Sequence, residues 1–561
     1  MNHSVIRHCR AAASSFVLAA AAFAAAADPA TNAPAAKPSA IARFASLDDA
    51  SKFLRDFAAA IGFAGQADDM VRSMREEFEE IGTDPSRPIV GAFTRPFDTA
   101  MDGVAFAVPG EEPSAERIGK ALKLEDGVAA VRGADGVWAD PDPDGKKMAM
   151  FHRDGYNVFA EPRECLAFAD DLLAAARSPR FPGAAGEFTF RAELFRDALL
   201  SHPVRSDSTA PSMDVAADLF ARCGTFSFGA AFDATAGLLV PFAATPPESD
   251  PGAFAAFAAA PALDPATALW SDDAIVAFAA SDTGRAFGAF FDFYEEYFRF
   301  LRSGIEENLR TSGLDEAAIS ATLAADLPEM CRLAKSVGAM SGFGGLTPEG
   351  ASTMRGIVDF GDPATAAKSR EIQRRMFAAP AATNLFAFAE TEDGWTWDFN
   401  PAAAVPPDGT AAEGFLPAMR RLYGPNGMHG EMHLVPGTAA TYRYAAGPVG
   451  TETPAMPAGR LALGALDRFS PGAKTVAAMQ MGMSDFIRAT LSPTGPIPEG
   501  VIPPGGRIRW DLGVRGGEPV GLLAVDPAEL RAYSMLLFFG VTHAMAPAAP
   551  APSGEDALFD D

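Results

Sequence analysis

Cysteine is scarce in this chain, which limits the ways in which the fold can be stabilised. The 561 residues include four cysteines, and Cys9 lies in a segment at the start that we expect to be removed. The other three, Cys165, Cys223 and Cys331, are odd in number and widely spaced, so at most one disulfide can form within a monomer. Stability must therefore come from packed cores, for which a hydrophobic content of 48% is sufficient.

Positive charge is also in short supply. The chain has 46 Lys and Arg residues against 72 Asp and Glu residues, which gives a formal net charge of −26. An acidic surface of this kind repels the phosphate backbone of nucleic acids. We therefore expect no nucleic-acid partner.

Long apolar runs are confined to the start of the chain. Arg7 and Arg10 precede an apolar run over 11–23 and the small residues Ala25 to Ala27, a pattern typical of a secretory signal peptide over residues 1–27. No later run approaches the roughly 20 apolar residues that a bilayer span needs. The sequence predicts a periplasmic or secreted protein without a transmembrane span in the mature chain, and an uncleaved anchor is the alternative. The mature chain also has no Asn-x-Ser/Thr site, which favours a bacterial origin.

The sequence contains no complete catalytic or cofactor motif. Residues 482–486 read GMSDF and do not have the final Gly of a nucleophile elbow. The glycine-rich segment Gly342 to Gly345 is not followed by Lys-Ser/Thr, so it is not a phosphate-binding P-loop. No cofactor is predicted, and the protein is expected to be something other than an enzyme.

A local structural unit recurs instead. Two apolar runs around a turn are followed by an acidic residue, Pro and a stretch with helical periodicity. An Asp side chain can accept a hydrogen bond from the first N–H groups of a helix, and Pro suits the first helical turn. The predicted junctions are Glu161-Pro162, Asp250-Pro251, Asp362-Pro363 and Asp526-Pro527, and the predicted hairpin turns lie at 134–136, 153–155, 234–237, 347–350, 392–394 and 515–517.

The order of these units predicts two related α+β halves. Similar strand, strand-pair and closing-hairpin segments follow one another twice, with a spacing that grows along the chain, as loop insertions into a second copy would produce. Hairpins interleaved with helices predict an antiparallel sheet in each half. We place the boundaries at 1–27 for the signal peptide, 28–40 for a flexible lead, 41–265 and 266–541 for the halves, and 542–561 for a disordered acidic tail.

Two segments carry a resemblance to a known group of proteins. They read GYNVFAEPRECLAFADDLL at 155–173 and IRWDLGVRGGEPVGLLAVDPAEL at 508–530. With the order of elements, they resemble uncharacterised exported bacterial proteins that have two α+β halves and a domain of unknown function. The resemblance spans most of the mature chain, and it implies an architecture without an activity or a site residue.

A candidate metal site lies in the segment MHGEMH at 428–433. On a strand, His429, Glu431 and His433 would share one face and offer two imidazoles and a carboxylate, a set that suits zinc or non-haem iron. Gly430 follows the first His, so the segment is not a zincin motif. The alternative is an exposed polar strand face.

A second candidate is the acidic segment DPDPDG. Asp140, Asp142 and Asp144 match the first ligand positions of an EF-hand, but Phe151 occupies the position of the bidentate Glu. A complete EF-hand is therefore excluded. An acidic hairpin loop and a calcium loop completed by a distant carboxylate remain as alternatives.

Aromatic and sulfur-containing residues provide two further interpretations. An amphipathic helix is predicted over 285–310, with core packing or an apolar groove as its role, and 43 Phe against 7 Tyr indicate apolar cores or dry pockets. Met479, Met481 and Met483 are predicted to lie on a helix that starts at Ser470-Pro471 and packs into the core. Cuprous copper ligation is the alternative.

The leading prediction is an exported non-enzymatic binding or envelope-associated protein for an unknown protein or apolar ligand. One alternative is a metal-dependent hydrolase that uses His429, Glu431 and His433, and another is a periplasmic carrier or chaperone for apolar cargo. Convergence of the three side chains in a cleft would favour the hydrolase, whereas a deep cavity lined by Phe would favour the carrier.

Overall fold

A computed structural model describes most of the chain between residues 37 and 535. The predicted signal peptide, most of the flexible lead and the acidic tail lie outside the described residues. The described ranges are 37–94, 103–122, 129–141, 148–200, 213–214, 217, 220–292, 294–295, 327–347, 350–378, 386–400, 420, 422–450, 459, 461–491 and 506–535.

Twenty strands lie within these ranges. We call the first ten the first run: β1 Ala40–Phe44, β2 Ile89–Phe93, β3 Val104–Pro109, β4 Val131–Arg132, β5 Trp138–Ala139, β6 Ala149–Arg153, β7 Tyr156–Glu161, β8 Gly186–Arg191, β9 Thr225–Asp233 and β10 Gly237–Thr245. We call the last ten the second run: β11 Val276–Ala280, β12 Met340–Leu346, β13 Ser352–Asp359, β14 Phe386–Glu390, β15 Gly394–Phe399, β16 Met428–Leu434, β17 Thr441–Pro448, β18 Lys474–Met481, β19 Ile508–Arg515 and β20 Glu518–Val525.

Helices follow many of the strands. Those with described bounds are α1 Leu47–Ile61, α2 Ala64–Glu80, α3 Ala115–Ala121, a 3-10 helix Arg163–Phe168, α4 Ala169–Arg177, α5 Ala192–Leu200, α6 Ala255–Ala258, α7 Leu327–Ala334, α8 Pro363–Ala378, α9 Ala465–Phe469 and α10 Met483–Leu491. Helical residues are also described at 283–292 and 527–535.

The strands form one continuous antiparallel sheet. In the first run the spatial order is β4-β5-β6-β7-β3-β2-β1-β8-β9-β10. In the second run it is β14-β15-β16-β17-β13-β12-β11-β18-β19-β20, so adding ten to each strand number of the first run gives the second. Pairing of β10 with β20 joins the runs, with Leu238 opposite Val525. The protein is therefore a mixed α+β protein, and the two separate sheets expected from the sequence form a single sheet.

The hairpins follow the predicted turns. Each predicted turn lies between two paired strands, namely β4 and β5, β6 and β7, β9 and β10, β12 and β13, β14 and β15, and β19 and β20. At the last of these turns Gly516 and Gly517 both have positive φ, a conformation that glycine adopts without a steric penalty. Turn chemistry thus sets the short-range connections of the sheet.

The junctions between acid and proline behave in three ways. Asp362 Oδ1 accepts hydrogen bonds from the backbone N–H groups of Ala364 and Thr365, and α8 starts at Pro363, as predicted. Asp526 caps the helix at 527–535 in the same way. Asp250 differs, because its carboxylate accepts from Gly252 in a turn and the helix starts only at Ala255. The fourth junction, Glu161-Pro162, is a cis peptide bond before the 3-10 helix.

The prediction of a helix over the methionine segment is wrong. Met479 and Met481 lie on strand β18, and only Met483 belongs to a helix, α10. Ser470-Pro471-Gly472 forms a turn in which Gly472 has a φ of 77° and donates its N–H to Asp467. Helix α9 ends at Phe469, and this turn leads directly into strand β18.

Helices cover both faces of the first run. On one face α1, α2 and α3 pack over β1 to β3 in a core that includes Leu47, Phe78 and Ile118. On the other face the 3-10 helix and α4 pack Phe168 and Leu172 against the same strands. Strands β2 and β3 are buried along their whole length, because both of their faces are covered.

Candidate functional site

The candidate site is a cavity between the helical hairpin α1-α2 and the sheet. Its volume is about 940 Å³. Helix α1 begins at a capped N-terminus, where Ser46 Oγ accepts a hydrogen bond from Asp49 N at 2.9 Å. It ends at Gly62, which has a φ of 90° and lets the chain turn sharply into α2. The two helices therefore lie side by side and present one wall to the sheet.

The wall formed by the helices is apolar. Residues at helical spacing on both helices face the cavity, and the rings of Phe53 and Phe57 on α1 stack with centroids 6.0 Å apart. The lining residues of this wall are Leu47, Ala50, Phe53, Leu54, Phe57, Ala58, Ile61, Phe63, Gln66, Ala67, Met70, Met74 and Phe78. Among them only Gln66 carries a hydrogen-bonding side chain.

The opposite wall is the sheet. Strands of the first run contribute most of its side chains, and the rings of Phe226 on β9 and Phe242 on β10 lie 6.3 Å apart. Trp510 on β19 and Leu523 on β20 belong to the second run and complete this wall. Ten phenylalanines line the cavity in total. The cavity thus depends on residues from both runs, which meet at the pairing of β10 with β20.

Exposed lining residues mark the mouth of the cavity. Phe63 is 41% exposed and Met70 is 45% exposed, and Gln66 between them is also exposed. Near this end, Arg531 Nε in the helix 527–535 donates a hydrogen bond to the carbonyl oxygen of Ala60 at 3.4 Å. Exposed apolar side chains of this size around an apolar cavity are typical of a ligand entrance.

The candidate metal residues lie elsewhere, near the far edge of the second run. His429, Glu431 and His433 are on strand β16 and share one face, as predicted. His429 Nδ1 is 2.7 Å from Asp398 Oδ1, and His433 Nδ1 is 3.0 Å from Asp393 Oδ1. Each imidazole is therefore engaged by its own carboxylate.

The electrostatics of this strand fit an exposed polar face. The hydrogen bond that Asp393 accepts from His433 raises the pKa of the imidazole, and Glu431, 3.5 Å from His433 Nε2, adds to the effect. The side chains of His429 and His433 are 45% and 38% exposed. Within the described ranges, no three His, Cys, Asp or Glu side chains are grouped as a metal ion requires.

The other sequence candidates are described only in part. Asp140 is described, whereas Asp142 and Asp144 lie outside the described residues. The predicted aromatic helix is described over 283–292 and at 294–295, where Phe290 is 49% exposed and its ring lies 4.5 Å from that of Tyr294. The rest of that helix lies outside the described residues.

Sequence reasoning did not identify the helical hairpin as part of a site. The signal was present in the excess of Phe over Tyr, since ten of the phenylalanines line one cavity. A second signal was the apolar stripe of α2, where Ala67, Met70, Met74 and Phe78 recur at spacings of three and four.

Comparison with known proteins gives no relative, since no protein-family model, curated protein or solved structure matches the chain. A search for membrane-crossing helices found none of sufficient length and apolar character among the described residues. The geometry of the cavity therefore carries the functional argument.

Proposed function

We propose that the protein is an exported binding protein that carries an apolar ligand in the cavity under the α1-α2 hairpin. The observation that supports this function is the lining of the cavity, in which ten Phe side chains and one polar amide surround about 940 Å³. Cavities of roughly 300–1,000 Å³ with mainly apolar linings are typical of small-molecule sites. Export through the segment 1–27 would place the protein in the periplasm or outside the cell, where apolar molecules need a carrier.

The physical reason for binding is the removal of apolar surface from water. Each methylene group that enters the cavity is worth about 0.8 kcal/mol, so two further methylenes strengthen binding by about tenfold. We therefore expect the affinity for linear hydrocarbon chains to rise steeply with length. It should stop rising once the cavity is full, which distinguishes a cavity of fixed volume from an open hydrophobic surface.

Fluorescence titration with diphenylhexatriene tests the proposal. This uncharged hydrocarbon dye becomes bright when it leaves water, and a series of linear alcohols of increasing chain length is then used to displace it. Val240→Trp places an indole ring in the cavity, because Val240 is a half-buried lining residue on β10. Val131→Trp is the matched control, since Val131 lies on β4, is 55% exposed and does not line the cavity.

We expect the unmodified protein to bind the dye with a stoichiometry of one. Val240→Trp should weaken binding by about tenfold or more, since the indole occupies the volume of several methylenes. Val131→Trp should bind as the unmodified protein does. Absence of dye binding to the unmodified, folded protein would contradict the proposal, whether or not Val240→Trp folds.

We also propose that the two runs of strands belong to two related halves, 41–265 and 266–541. The identical order of pairing in both runs supports a duplication. The helices support it too, because α5 follows β8 as α10 follows β18. Superposition of β1 to β10 on β11 to β20 tests this idea, and dissimilar strand paths would contradict it.

A further inference from the structure

The charges around the cavity restrict the chemistry of its ligand. Helices α1 and α2 contain nine carboxylates and four cations, so the wall nearest the mouth carries net negative charge. All four cations already contact a carboxylate: Lys52 contacts Asp56, Arg55 contacts Asp68, Arg72 contacts Asp69 and Arg75 contacts Asp48. An incoming carboxylate would therefore meet net negative charge and no unpaired cation on this hairpin, and the one cation described near the mouth, Arg531, belongs to the helix 527–535 and donates to the carbonyl oxygen of Ala60.

The interior of the cavity offers no partner for a charge either. Its described lining residues include no Lys, Arg, His, Asp or Glu. An isolated ionised group loses its hydration in such surroundings and gains nothing in return, which makes its burial costly. A ligand that enters head first or that lies wholly inside the cavity must consequently be uncharged.

One polar group at the mouth has the properties of a head-group contact. Gln66 lies between the exposed apolar residues Phe63 and Met70, and it lines the cavity. Within the described part of the chain, no hydrogen bond is formed by its amide. An amide offers both a donor and an acceptor, which matches a hydroxyl group and does not favour either sign of charge.

We propose that the ligand is an uncharged single-chain amphiphile, of the class of long-chain alcohols, whose hydroxyl group binds Gln66 while its hydrocarbon chain fills the cavity. This assignment rests on the proposed function. It adds the class of ligand and one specificity-determining residue. The hydrocarbon chain provides most of the binding free energy, and Gln66 and the acidic hairpin determine which head group is accepted.

Competition at matched chain length tests the assignment. Dodecanol, dodecanoate and dodecyltrimethylammonium are compared as competitors of diphenylhexatriene at pH 8, where the acid is fully ionised. We expect dodecanol to bind more tightly than either ion, and the margin to be largest, about tenfold or more, against dodecanoate, which the acidic hairpin also repels. Equal or tighter binding of one of the ions would overturn the assignment and leave the proposed function standing. If none of the three ligands and no dye binds, the proposed function itself fails.

Two substitutions of Gln66 test the role of its amide. Gln66→Leu should weaken dodecanol binding by about fivefold, the value of one hydrogen bond, and leave the affinity for the hydrocarbon dye unchanged. Gln66→Arg should raise the affinity for dodecanoate by about fivefold or more, because it supplies the unpaired cation that the hairpin does not provide. An unchanged dodecanol affinity in Gln66→Leu would show that Gln66 does not contact the hydroxyl group.

Discussion

The two runs of strands pair in the same order, yet the side chains at corresponding central positions differ. In the middle of the first run Ala42, Gly91 and Phe106 are directly paired, and all three line the cavity. In the middle of the second run Phe278, Gly342 and Gly356 are paired in the same way. There the ring of Tyr444 lies across both glycines.

The strands pair in the same way at both positions, and what differs is the volume of the surrounding side chains. In the second run an aromatic ring from β17 fills the space above two glycines, as often occurs where glycine leaves a gap in a sheet. In the first run small residues on β1 and β2 leave a space beneath the α1-α2 hairpin, and the side chains of the hairpin do not fill it. A cavity lined mainly by one run and a packed core in the other thus arise from a few side chains, which is why the fold by itself does not define the function.

The largest predicted effect is a difference in stability between alanine variants at the corresponding positions Gly91 and Gly342. A Cβ atom at Gly342 would lie 2.6 Å from the carbonyl oxygen of Arg355, a backbone atom that cannot move alone. A Cβ atom at Gly91 would lie 2.9 Å from a ring carbon of Phe106, which can shift into the cavity. Gly342→Ala should therefore lower the free energy of unfolding by about 3 kcal/mol, and Gly91→Ala by about 1 kcal/mol. Urea unfolding of both variants measures the difference.

Ligand binding gives the same pair of variants a second readout. The displaced ring of Phe106 in Gly91→Ala would occupy part of the cavity, so this variant should bind diphenylhexatriene more weakly. Gly342→Ala should bind the dye as the unmodified protein does, since Gly342 does not line the cavity. Equal losses of stability in the two variants, with equal dye binding, would show that the two positions are equivalent after all.

A smaller difference in stability is expected between alanine variants of Asp526 and Asp250, the acidic residues that follow the last strand of each run. Asp526 Oδ1 accepts from Glu529 N at 2.9 Å at the start of a helix, whereas Asp250 accepts from Gly252 N at 3.2 Å in a turn. Asp526→Ala should lower the free energy of unfolding by about 2 kcal/mol, since it removes an N-cap and the acceptor for Arg507 N, and Asp250→Ala by a few tenths. The thermal unfolding midpoint measures both.

A conservative variant controls for the change of charge. Asp526→Asn keeps an oxygen acceptor for Glu529 N, but its amide NH2 cannot accept the hydrogen bond that Arg507 N donates to the other carboxylate oxygen, so it should restore only part of the stability that Asp526→Ala loses. If Asp250→Ala is as destabilising as Asp526→Ala, the turn at Asp250 contributes more than its single hydrogen bond indicates.

The local parts of this fold could be predicted from the sequence because their causes are local. The turn at 153–155 contains Gly155 with a φ of 71°, and the junction at Asp362 caps a helix with its own side chain. Each of these features is decided by three or four neighbouring residues. The strand pairs β2 with β3 and β12 with β13 follow for the same reason, since each is a short-range antiparallel pair.

Long-range pairing could not be predicted in the same way. Leu238 and Val525 are opposite each other in the sheet, but no local feature of either segment indicates which strand it pairs with. The error at Met479 has a related cause, since alternating and helical spacing overlap in a short apolar segment, and the strand forms through its pairing with β11 and β19.

The candidate sites show the same division. The shared face of His429, Glu431 and His433 follows from the alternation of a strand and was predicted. Their partners Asp398 and Asp393 come from a neighbouring strand and its turn, so these contacts depend on strand pairing and could not be predicted from the segment alone. The cavity was missed because Phe57, Phe242 and Trp510 come together only when the complete sheet and the α1-α2 hairpin have formed.

The smallest predicted effect is a change in the pKa of His433, whose surroundings differ from those of the histidine on the corresponding strand of the first run. His433 on β16 lies beside Asp393 and Glu431, whereas His152 on the corresponding strand β6 lies 2.9 Å from the neutral amide oxygen of Asn157. Asp393 raises the pKa of His433 above its usual value, and His433 in turn lowers the pKa of Asp393. Asp393→Asn should therefore lower the pKa of His433 and leave the imidazole signals of His152 unchanged.

The sign of the effect on stability follows from the raised pKa of His433. The folded state binds the imidazole proton more tightly than the unfolded chain, so the contribution is fully present below the unfolded pKa of about 6.5. It is lost as the pH rises through the folded pKa, which lies above that value. Because the side chain is exposed, the contribution is small and screened by salt. NMR titration of both histidines at low ionic strength measures it, and an unaltered His433 titration in Asp393→Asn would rule out the carboxylate as the cause.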